Sequence, residues 1–310
     1  MTVNYTQDVV RRSRLIMPAN VKKYVEAAYL RNADAIILDL EDSVPAAEKA
    51  ATRRLIKELI PIAGKGGSDI LVRVNNTKEW LHEDLEATIW PGLAGIYLPM
   101  VESAEDVKAV DRIITELEQK RGIPSGQVKI SLAIETVKGY LKMEEIAGAG
   151  ERCDALSLGN EDFSLDSGME SSDETYHGWL IARMQIVFVA RAYGLVPMLG
   201  SNPNYSDIAA YEKQAISYAK YGYLGSSCIH PGNVEILNKT FSPGPKEAEH
   251  ARKVVAAFEQ GLAAGRASVA LEGKMIDYVH YKQAKKVFDR IVKIEEFEMK
   301  KKKAREALGG

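Results

Sequence analysis

Residues 129–168, KISLAIETVKGYLKMEEIAGAGERCDALSLGNEDFSLDSG, contain two apolar segments that each end beside acidic residues. The first, VKISLAIE, predicts a buried strand that ends at Glu135. The second, DALSLG, predicts a buried strand that runs into Asn160, Glu161 and Asp162. A helical segment separates them, as in a parallel sheet. An ionised carboxylate beside an apolar core needs compensation, and two converging carboxylates most often imply a divalent cation.

The acids also have an ordinary structural explanation. Glu135 can cap the helix that follows it, and Glu161 and Asp162 can be turn residues. For either strand alone this explanation is favoured, whereas the pair of strands together favours a cation. Both explanations stay open at this point.

The strand–helix rhythm extends in both directions from this stretch. Upstream, the segments RLIMPAN, ADAIILDLED, DILVRVN and GIYLPM predict four strands, and downstream LVPMLG and YLGSSCIHP predict two more. Eight β/α units in about 230 residues are the expected size of a TIM barrel. The periodicity alone does not distinguish a closed barrel from an open doubly wound sheet. We expect an α/β fold, a TIM (β/α)8 barrel with a C-terminal helical and hairpin lid.

Polar residues are placed where the predicted strands end. Because strand ends converge on one face of a barrel, these scattered residues would form one pocket. A lone histidine is more often structural than catalytic, so the one in this set is expected to cap or hydrogen-bond at the barrel rim. The set consists of Asn20, Asp39 with Glu41 and Asp42, Arg73 with Asn75, Glu135, Asp162, Ser201 with Asn202, and His230.

The rhythm stops at the sequence SPGP, residues 242–245, which marks a domain boundary. We expect residues 1–241 to form the catalytic barrel, after a polar N-terminal arm, and residues 242–310 to form a lid and oligomerisation segment. The second segment predicts a helix, a short hairpin and a charged terminal helix. The basic run at residues 300–303 is expected to be a solvated helix end.

The composition limits the partners. Lys plus Arg number 41 and Asp plus Glu number 43, a formal charge of −2, so no global field attracts nucleic acid or an anionic membrane. Small molecules and copies of the chain itself are the expected partners. Cys153 and Cys228 lack metal-ligand spacing and are expected to be core residues of a reduced cytoplasmic enzyme. No signal peptide or apolar run of membrane-spanning length is recognised.

Eight motifs in register carry a resemblance to a known family: RSRLIMPAN, ADAIILDLEDSV, VRVN, LPMVES, LAIET, LGNEDF, CIHPGNVEILNKTFSP and GKMID. From Arg12 to about Ala284 the chain resembles the citrate lyase β-subunit-like group of the HpcH/HpaI aldolase superfamily, which includes malyl-CoA, citramalyl-CoA and citryl-CoA lyases. The resemblance implies a homotrimer or homohexamer. It also implies a Mg²⁺-dependent carbon–carbon lyase that cleaves a 3-hydroxyacyl-CoA to an acyl-CoA and a 2-oxo acid.

The resemblance assigns roles to individual residues. It implies that Glu135 and Asp162 bind the Mg²⁺ ion and the substrate through it. It places Arg73 on the carboxylate and carbonyl oxygens of the 2-oxo acid, where a bidentate donor is suited. An ion pair with Asp39 or Glu41 is the structural alternative for Arg73, and one arginine can do both. Glu41 is expected to position Arg73 or a metal-bound water.

Three further assignments are implied or suggested. Asp277 of GKMID resembles a lid aspartate that enters the active site of a neighbouring subunit and exchanges a proton with the thioester enolate. The backbone amides of Glu161 and Asp162 are candidates for binding the substrate carboxylate. The candidates for the CoA phosphates are Arg14, Lys22 and Lys23.

Two departures leave the substrate open. Many relatives carry Lys at the positions of Met100 and Ser226, and two missing positive charges would change how the CoA phosphates or a second carboxylate are bound. A thioesterase acting on the same CoA esters, an aldolase for free acids and a carrier-dependent citrate lyase β-type subunit are the alternative functions.

Overall fold

The computed structural model describes residues 9–309, and the polar arm expected before them lies outside this range. Within it the chain forms two compact units. The first unit consists of residues 11–241 and 301–309. The second consists of residues 9–10 and 242–300.

The first unit contains eight parallel strands that close into a barrel, with each strand paired to the next and the eighth paired to the first. This closed sheet confirms the predicted TIM barrel and excludes the open doubly wound alternative. Its strands are β1 (Ser13–Pro18), β2 (Ala35–Asp39), β3 (Asp69–Arg73), β4 (Gly95–Leu98), β5 (Lys129–Ile134), β6 (Cys153–Leu158), β7 (Val196–Leu199) and β8 (Gly225–Cys228).

Side chains alternate between the two faces of each strand, and this alternation directs the polar residues at the strand ends to the inside of the barrel. In β2, Ile36 and Leu38 belong to the large core between the sheet and the helices, whereas Ala35 and Ile37 belong to the small apolar cluster inside the barrel. Side chains along a strand alternate between the two faces, so Asp39 follows Ala35 and Ile37 to the inside. The same period of two places Arg73 after Leu71, and Glu135 after Ala133.

Helices follow the strands around the barrel. The helix predicted between β5 and β6 is two short helices, and Glu161 and Asp162 lie in the first turn of α7 rather than in an isolated turn. The helices of this unit are α1 (Lys22–Glu26), α2 (Ala46–Ala63), α3 (Leu81–Thr88), α4 (Ala104–Arg121), α5 (Val137–Leu141), α6 (Met143–Ala147), α7 (Asn160–Ser167), α8 (Tyr176–Ala192), α9 (Ile208–Lys220) and α10 (Val234–Thr240).

The second unit contains α11 (Pro245–Ala263), the antiparallel hairpin β9 (Val269–Leu271) and β10 (Lys274–Ile276), and α12 (Tyr278–Glu306), whose last turns from residue 301 belong to the first unit. It has a small apolar core of its own, which includes Val254, Phe258 and Ile276. Among the residues described, no helix combines the length and the apolar character that crossing a membrane would require.

The basic run of α12 is only partly solvated, which corrects the expectation for residues 300–303. Lys301 is fully buried, and its Nζ lies 2.8 Å from Oδ1 of Asp34. Arg12 binds the same carboxylate with Nε at 2.8 Å and Nη2 at 2.8 Å. The last turns of the helix are therefore anchored beside the start of β2, and Lys302 next to it stays exposed.

Candidate active site

Arg73 and Asp39 form the fixed pair of the barrel mouth. They are direct register partners at the ends of β3 and β2. Nε and Nη2 of Arg73 donate to the two carboxylate oxygens of Asp39, both at 2.7 Å. Burial alone would raise the pKa of Asp39, but the guanidinium outweighs burial and holds that pKa below its usual value. The predicted structural alternative for Arg73 is therefore present, and it leaves Nη1 on the other side of the guanidinium.

Two further acids, Glu41 and Asp42, contact the Nη1 side of Arg73. Oε2 of Glu41 lies 2.7 Å from Nη1 of Arg73, and Oδ2 of Asp42 lies 3.1 Å from the same nitrogen. Burial raises the pKa of Glu41 to about 8; Arg73 lowers it in part, and Asp42, Glu135 and Asp39 raise it further. Glu41 is thus a carboxyl group that can exchange a proton near neutral pH.

Glu135 is buried at the end of β5, with 5% of its surface exposed. The backbone N–H of Met100 donates to its Oε2 at 2.8 Å. Its Oε1 faces Gly159 at the end of β6, where an added Cβ atom would lie 2.4 Å away. Burial raises the pKa of Glu135 to about 7, and the charge of Asp162 raises it as well, while Met100 and Arg73 lower it.

Asp162 and Glu161 are exposed residues in the first turn of α7. Gly159 caps this helix, and its N–H donates to the carbonyl of Ile134 at 2.9 Å, so the ends of β5 and β6 are joined by a hydrogen bond. The backbone amides of a first helical turn have no intrahelical acceptor. Those of Glu161 and Asp162 stay candidates for binding an anion.

The two carboxylates fit a hard cation with water or substrate as its remaining ligands. Glu135 has one oxygen held by a backbone amide and the other against Gly159, and the charge of Asp162 acts on the same carboxylate. Buried, with a raised pKa, it lacks a full counter-charge, because Arg73 is engaged by Asp39. In the part of the chain that the structure describes, no cluster of three or more His, Cys, Asp or Glu side chains could hold a metal alone. Oxygen donors of this kind suit Mg²⁺.

Arg14 does not lie at the mouth, which corrects its assignment as a phosphate ligand. It is fully buried in the barrel, with its guanidinium carbon 5.0 Å from the ring centre of Tyr97. None of its three guanidinium nitrogens has a hydrogen-bond partner. Burial lowers the pKa of Arg14, and nearby Arg11 lowers it further. Periodicity could have shown this, because Arg14 shares the inner face of β1 with Ile16.

Asp277 lies in the second unit and is exposed at the start of α12. Its Oδ1 accepts from the backbone N–H groups of Val279 at 2.9 Å and His280 at 3.1 Å, and Nδ1 of His280 lies 2.6 Å away. These bonds, those of His280 first, lower the pKa of Asp277. The ionised form is therefore favoured near neutral pH.

The other residues singled out at the mouth have structural contacts. His230 accepts a hydrogen bond from the N–H of Gly232 at 3.1 Å and stacks on Tyr205, which confirms its expected role at the rim. Ser226 is buried, and its hydroxyl donates to the carbonyl of Ser227 at 2.9 Å. Cys153 and Cys228 are both buried and free, as expected of core residues.

Lys49 is a site residue that the motifs did not single out. It is buried on the inner face of α2, one heptad before Ile56, and that position on an apolar helix stripe was the available signal. Its Nζ binds the loop that carries the acids through three acceptors: the carbonyl oxygens of Leu40 (2.9 Å) and Glu41 (2.6 Å), and Oδ1 of Asn75 (2.8 Å).

The chain is similar to proteins of a known family over most of its length. Residues 12–231 match the family model described as HpcH/HpaI aldolase/citrate lyase. The chain is 32% identical over 281 residues to citrate lyase subunit beta of Escherichia coli K12, covering 90% of this chain and 93% of that protein. It is 32% identical over 293 residues to the L-malyl-CoA/beta-methylmalyl-CoA lyase of Cereibacter sphaeroides, covering 88% and 92%.

Solved structures are also similar to this chain. CitE from Mycobacterium tuberculosis, in complex with magnesium, acetoacetate and coenzyme A, superposes with a TM-score of 0.67 at 26% identity, covering 92% of this chain and 99% of that one. A citrate lyase from Burkholderia xenovorans LB400 has a TM-score of 0.75 at 21% identity, covering 91% of each chain, and supports the fold alone.

Proposed function

The chain belongs to the HpcH/HpaI aldolase/citrate lyase family and is a lyase, and from this premise we propose that it is a Mg²⁺-dependent carbon–carbon lyase of a 3-hydroxyacyl-CoA. The products are an acyl-CoA and a 2-oxo acid. The names of the malyl-CoA lyase relative and of the structure that holds magnesium and coenzyme A support this class of substrate and this cofactor.

The observation that carries the proposal is the carboxylate of Glu135, whose two oxygens have different neighbours. One oxygen is held by the N–H of Met100, and the other lies against Gly159, which precedes the helix that carries Asp162. The charges of Asp162 and Arg73 both act on this carboxylate. We assign Glu135 and Asp162 as the protein ligands of Mg²⁺, which would supply Lewis acidity toward the oxygens of the substrate. A planar donor beside two carboxylates suits a 2-oxo acid.

The other residues at the barrel mouth are assigned to substrate binding and proton transfer. Arg73, held on one edge by Asp39, would bind the carboxylate and carbonyl oxygens of the oxo acid through Nη1, in place of the contacts that this nitrogen makes with Glu41 and Asp42. Glu41 touches the same nitrogen and, with a pKa of about 8, is suited to take the proton of the 3-hydroxyl group, directly or through water. When the C–C bond breaks, its electron pair passes to the thioester carbonyl and forms an enolate. The amides of Glu161 and Asp162 would bind the acid carboxylate.

Asp277 is assigned to the proton step at the enolate carbon. A carboxylate with a lowered pKa favours the ionised form, which suits removal of a proton from the acyl-CoA in the condensation direction. In the cleavage direction the same group must first be protonated and then deliver that proton to the enolate, as microscopic reversibility requires. Lys22 and Lys23, at the start of α1 after β1, are assigned to the CoA phosphates.

We assign the chain to a homotrimer or homohexamer in which residues 242–310 form a lid that reaches a neighbouring subunit. Exposed apolar side chains on the outer face of α8, including Ile181 and Phe188, support self-association. The two free, buried cysteines support the assignment to the reduced cytoplasm.

A carrier-dependent citrate lyase β-type subunit is the second candidate, because several relatives are named citrate lyase subunit beta. The deciding experiment is an assay of the purified chain alone with malyl-, methylmalyl-, citramalyl- and citryl-CoA, with and without Mg²⁺. We expect equal amounts of 2-oxo acid and acyl-CoA from at least one substrate, only with Mg²⁺. Free CoA without acyl-CoA would indicate a thioesterase, and activity confined to carrier-bound substrate would indicate the subunit.

A further inference from the structure

Met100 follows β4 at the barrel mouth and has an unusual backbone conformation. Its φ angle is +50°, in the left-handed region that few non-glycine residues enter. Its side chain is 39% exposed, so side-chain burial gives little reason for this conformation. Strained backbone of this kind persists where surrounding contacts determine it.

Two main-chain anchors hold this loop. From the loop after β3, Nδ2 of Asn76 donates to the carbonyl oxygens of Pro99 at 2.9 Å and of Met100 at 3.2 Å. On the other side, the N–H of Val101 donates to the carbonyl of Ala133 in β5 at 3.3 Å. The carbonyl groups of Pro99 and Met100 lie on either side of the N–H of Met100. Among the hydrogen bonds described for residues 99–101, Asn76 is the only side chain that binds both.

The strained conformation directs the N–H of Met100 toward Glu135. That N–H donates to Oε2 at 2.8 Å, while Oε1 is on the side of Gly159 and of α7, which carries Asp162. Rotation of φ at residue 100 to an ordinary negative value would turn this peptide relative to the loop. The fixed oxygen of Glu135 would then lose its donor, and the carboxylate would be free to rotate.

We propose that Asn76 is a positioning residue for Glu135. By clamping the loop after β4, it keeps the Met100 amide on Oε2 and so leaves Oε1 directed toward the second carboxylate. The inference rests on the proposed function, because it takes Glu135 as a ligand of Mg²⁺. Outer groups that orient metal ligands typically change metal affinity by about 10–100-fold when removed.

Direct binding of Mn²⁺ to the full chain tests this role without any turnover. Free Mn²⁺ is measured by electron paramagnetic resonance in the presence of pyruvate, for the wild type and for Asn76→Ala, with Asn76→Ser as a second variant too short to reach both carbonyls. Gln127→Ala is the matched amide control, since this exposed side chain lies just before β5, at the end of the barrel opposite the mouth. Circular dichroism establishes that each variant is folded.

We expect Asn76→Ala and Asn76→Ser to bind Mn²⁺ at least tenfold more weakly and Gln127→Ala to bind like the wild type. Adding Met100→Gly to Asn76→Ala should recover part of the loss, because glycine adopts a positive φ without strain. If Glu135→Gln abolishes binding while both Asn76 variants stay within twofold of the wild type, the metal site stands and this inference is overturned. If Glu135→Gln binds normally, the proposed metal site fails and the inference fails with it.

Discussion

Glu135 is a residue whose environment suits neither of its own protonation states well. The protonated form discards the hydrogen bond from Met100 to a charged acceptor, and the ionised form is buried beside Asp162. A divalent cation at Oε1 would resolve this conflict, since it compensates both carboxylates at once.

The pH dependence of Mg²⁺ binding follows from this conflict. The pKa of Glu135 is raised from 4.5 to about 7, so without a cation its ionisation opposes folding, and the free energy of unfolding falls as pH rises across that interval. Mg²⁺ binds the ionised form and must displace the proton below pH 7. We predict an affinity that falls roughly tenfold per pH unit below 7 and levels off above it. Calorimetry at several pH values measures this, and a flat affinity between pH 6 and pH 8 would contradict it.

Gly159 provides a steric test of the same carboxylate. Its φ of −83° is open to any residue, so Gly159→Ala brings no backbone strain, but the new Cβ would lie 2.4 Å from Oε1 of Glu135. We predict a loss of metal-dependent activity of at least tenfold, about 1.4 kcal/mol in the activation free energy, with little change in melting temperature. Gly64→Ala is the matched control, because its Cβ would meet only Ile70, at 3.4 Å. Equal activity of the two variants would show that metal-dependent activity does not depend on the position of Oε1 of Glu135.

Arg14 is a buried cation without a hydrogen-bond partner, and such a group destabilises a fold. We predict that Arg14→Met, which keeps the length of the side chain over Tyr97, increases the free energy of unfolding by about 1–3 kcal/mol. Urea denaturation measures the change. A decrease in stability would instead mean that an internal anion or water cluster compensates the guanidinium.

At the scale of elements, the strand–helix rhythm located all eight barrel strands. Most of them are continuous apolar runs, as expected of strands buried on both faces, whereas β8 (GSSC) is not. The polar ends of β2, β3 and β5 could be predicted because each follows a continuous apolar strand. The conformation of Met100 and the contacts of Lys49 could not be predicted, since both depend on loops that follow different strands and touch only after the barrel closes. The depth of Arg14 was missed because Arg14 was grouped with Lys22 and Lys23 as a candidate for the CoA phosphates without counting the strand period.

The last turns of α12 depend on a buried ion cluster. Burial alone would raise the pKa of Asp34, but Arg12 and Lys301 outweigh it and hold that pKa below its usual value. This stability is therefore present above the unfolded pKa of about 4 and is lost as pH falls below it.

Lys301→Met removes one partner of this cluster, while Arg12 stays bidentate on Asp34. We predict a loss of about 2–4 kcal/mol in the free energy of unfolding at pH 7, and a loss that becomes smaller as the pH falls from the unfolded pKa of about 4 toward the lowered folded pKa of Asp34. Lys302→Met on the exposed side of the same helix should change stability by less than about 0.5 kcal/mol. Equal effects of the two substitutions would mean that Lys301 contributes no more than a surface lysine.

At the scale of the molecule, the barrel gathers side chains from β2, β3, β5 and β6 that are far apart in sequence. The sequence pattern and the family resemblance together predicted this gathering, because the strand order of a barrel converts chain order into neighbours. They left open whether Arg73 pairs with Asp39 or with Glu41, and they could not predict the acyl group of the substrate. Those properties depend on side-chain geometry and on pocket shape, which no periodicity encodes.

The proposed function requires that Glu135 binds the metal on which lyase activity depends. The most direct measurement compares Mg²⁺-dependent release of 2-oxo acid from the best CoA ester by the wild type, by Glu135→Gln, and by Glu145→Gln, an exposed glutamate on α6 that serves as the control. We predict wild-type activity for Glu145→Gln, a loss of at least a hundredfold for Glu135→Gln, and no recovery of the latter at high Mg²⁺. Full metal-dependent activity of Glu135→Gln would contradict the account.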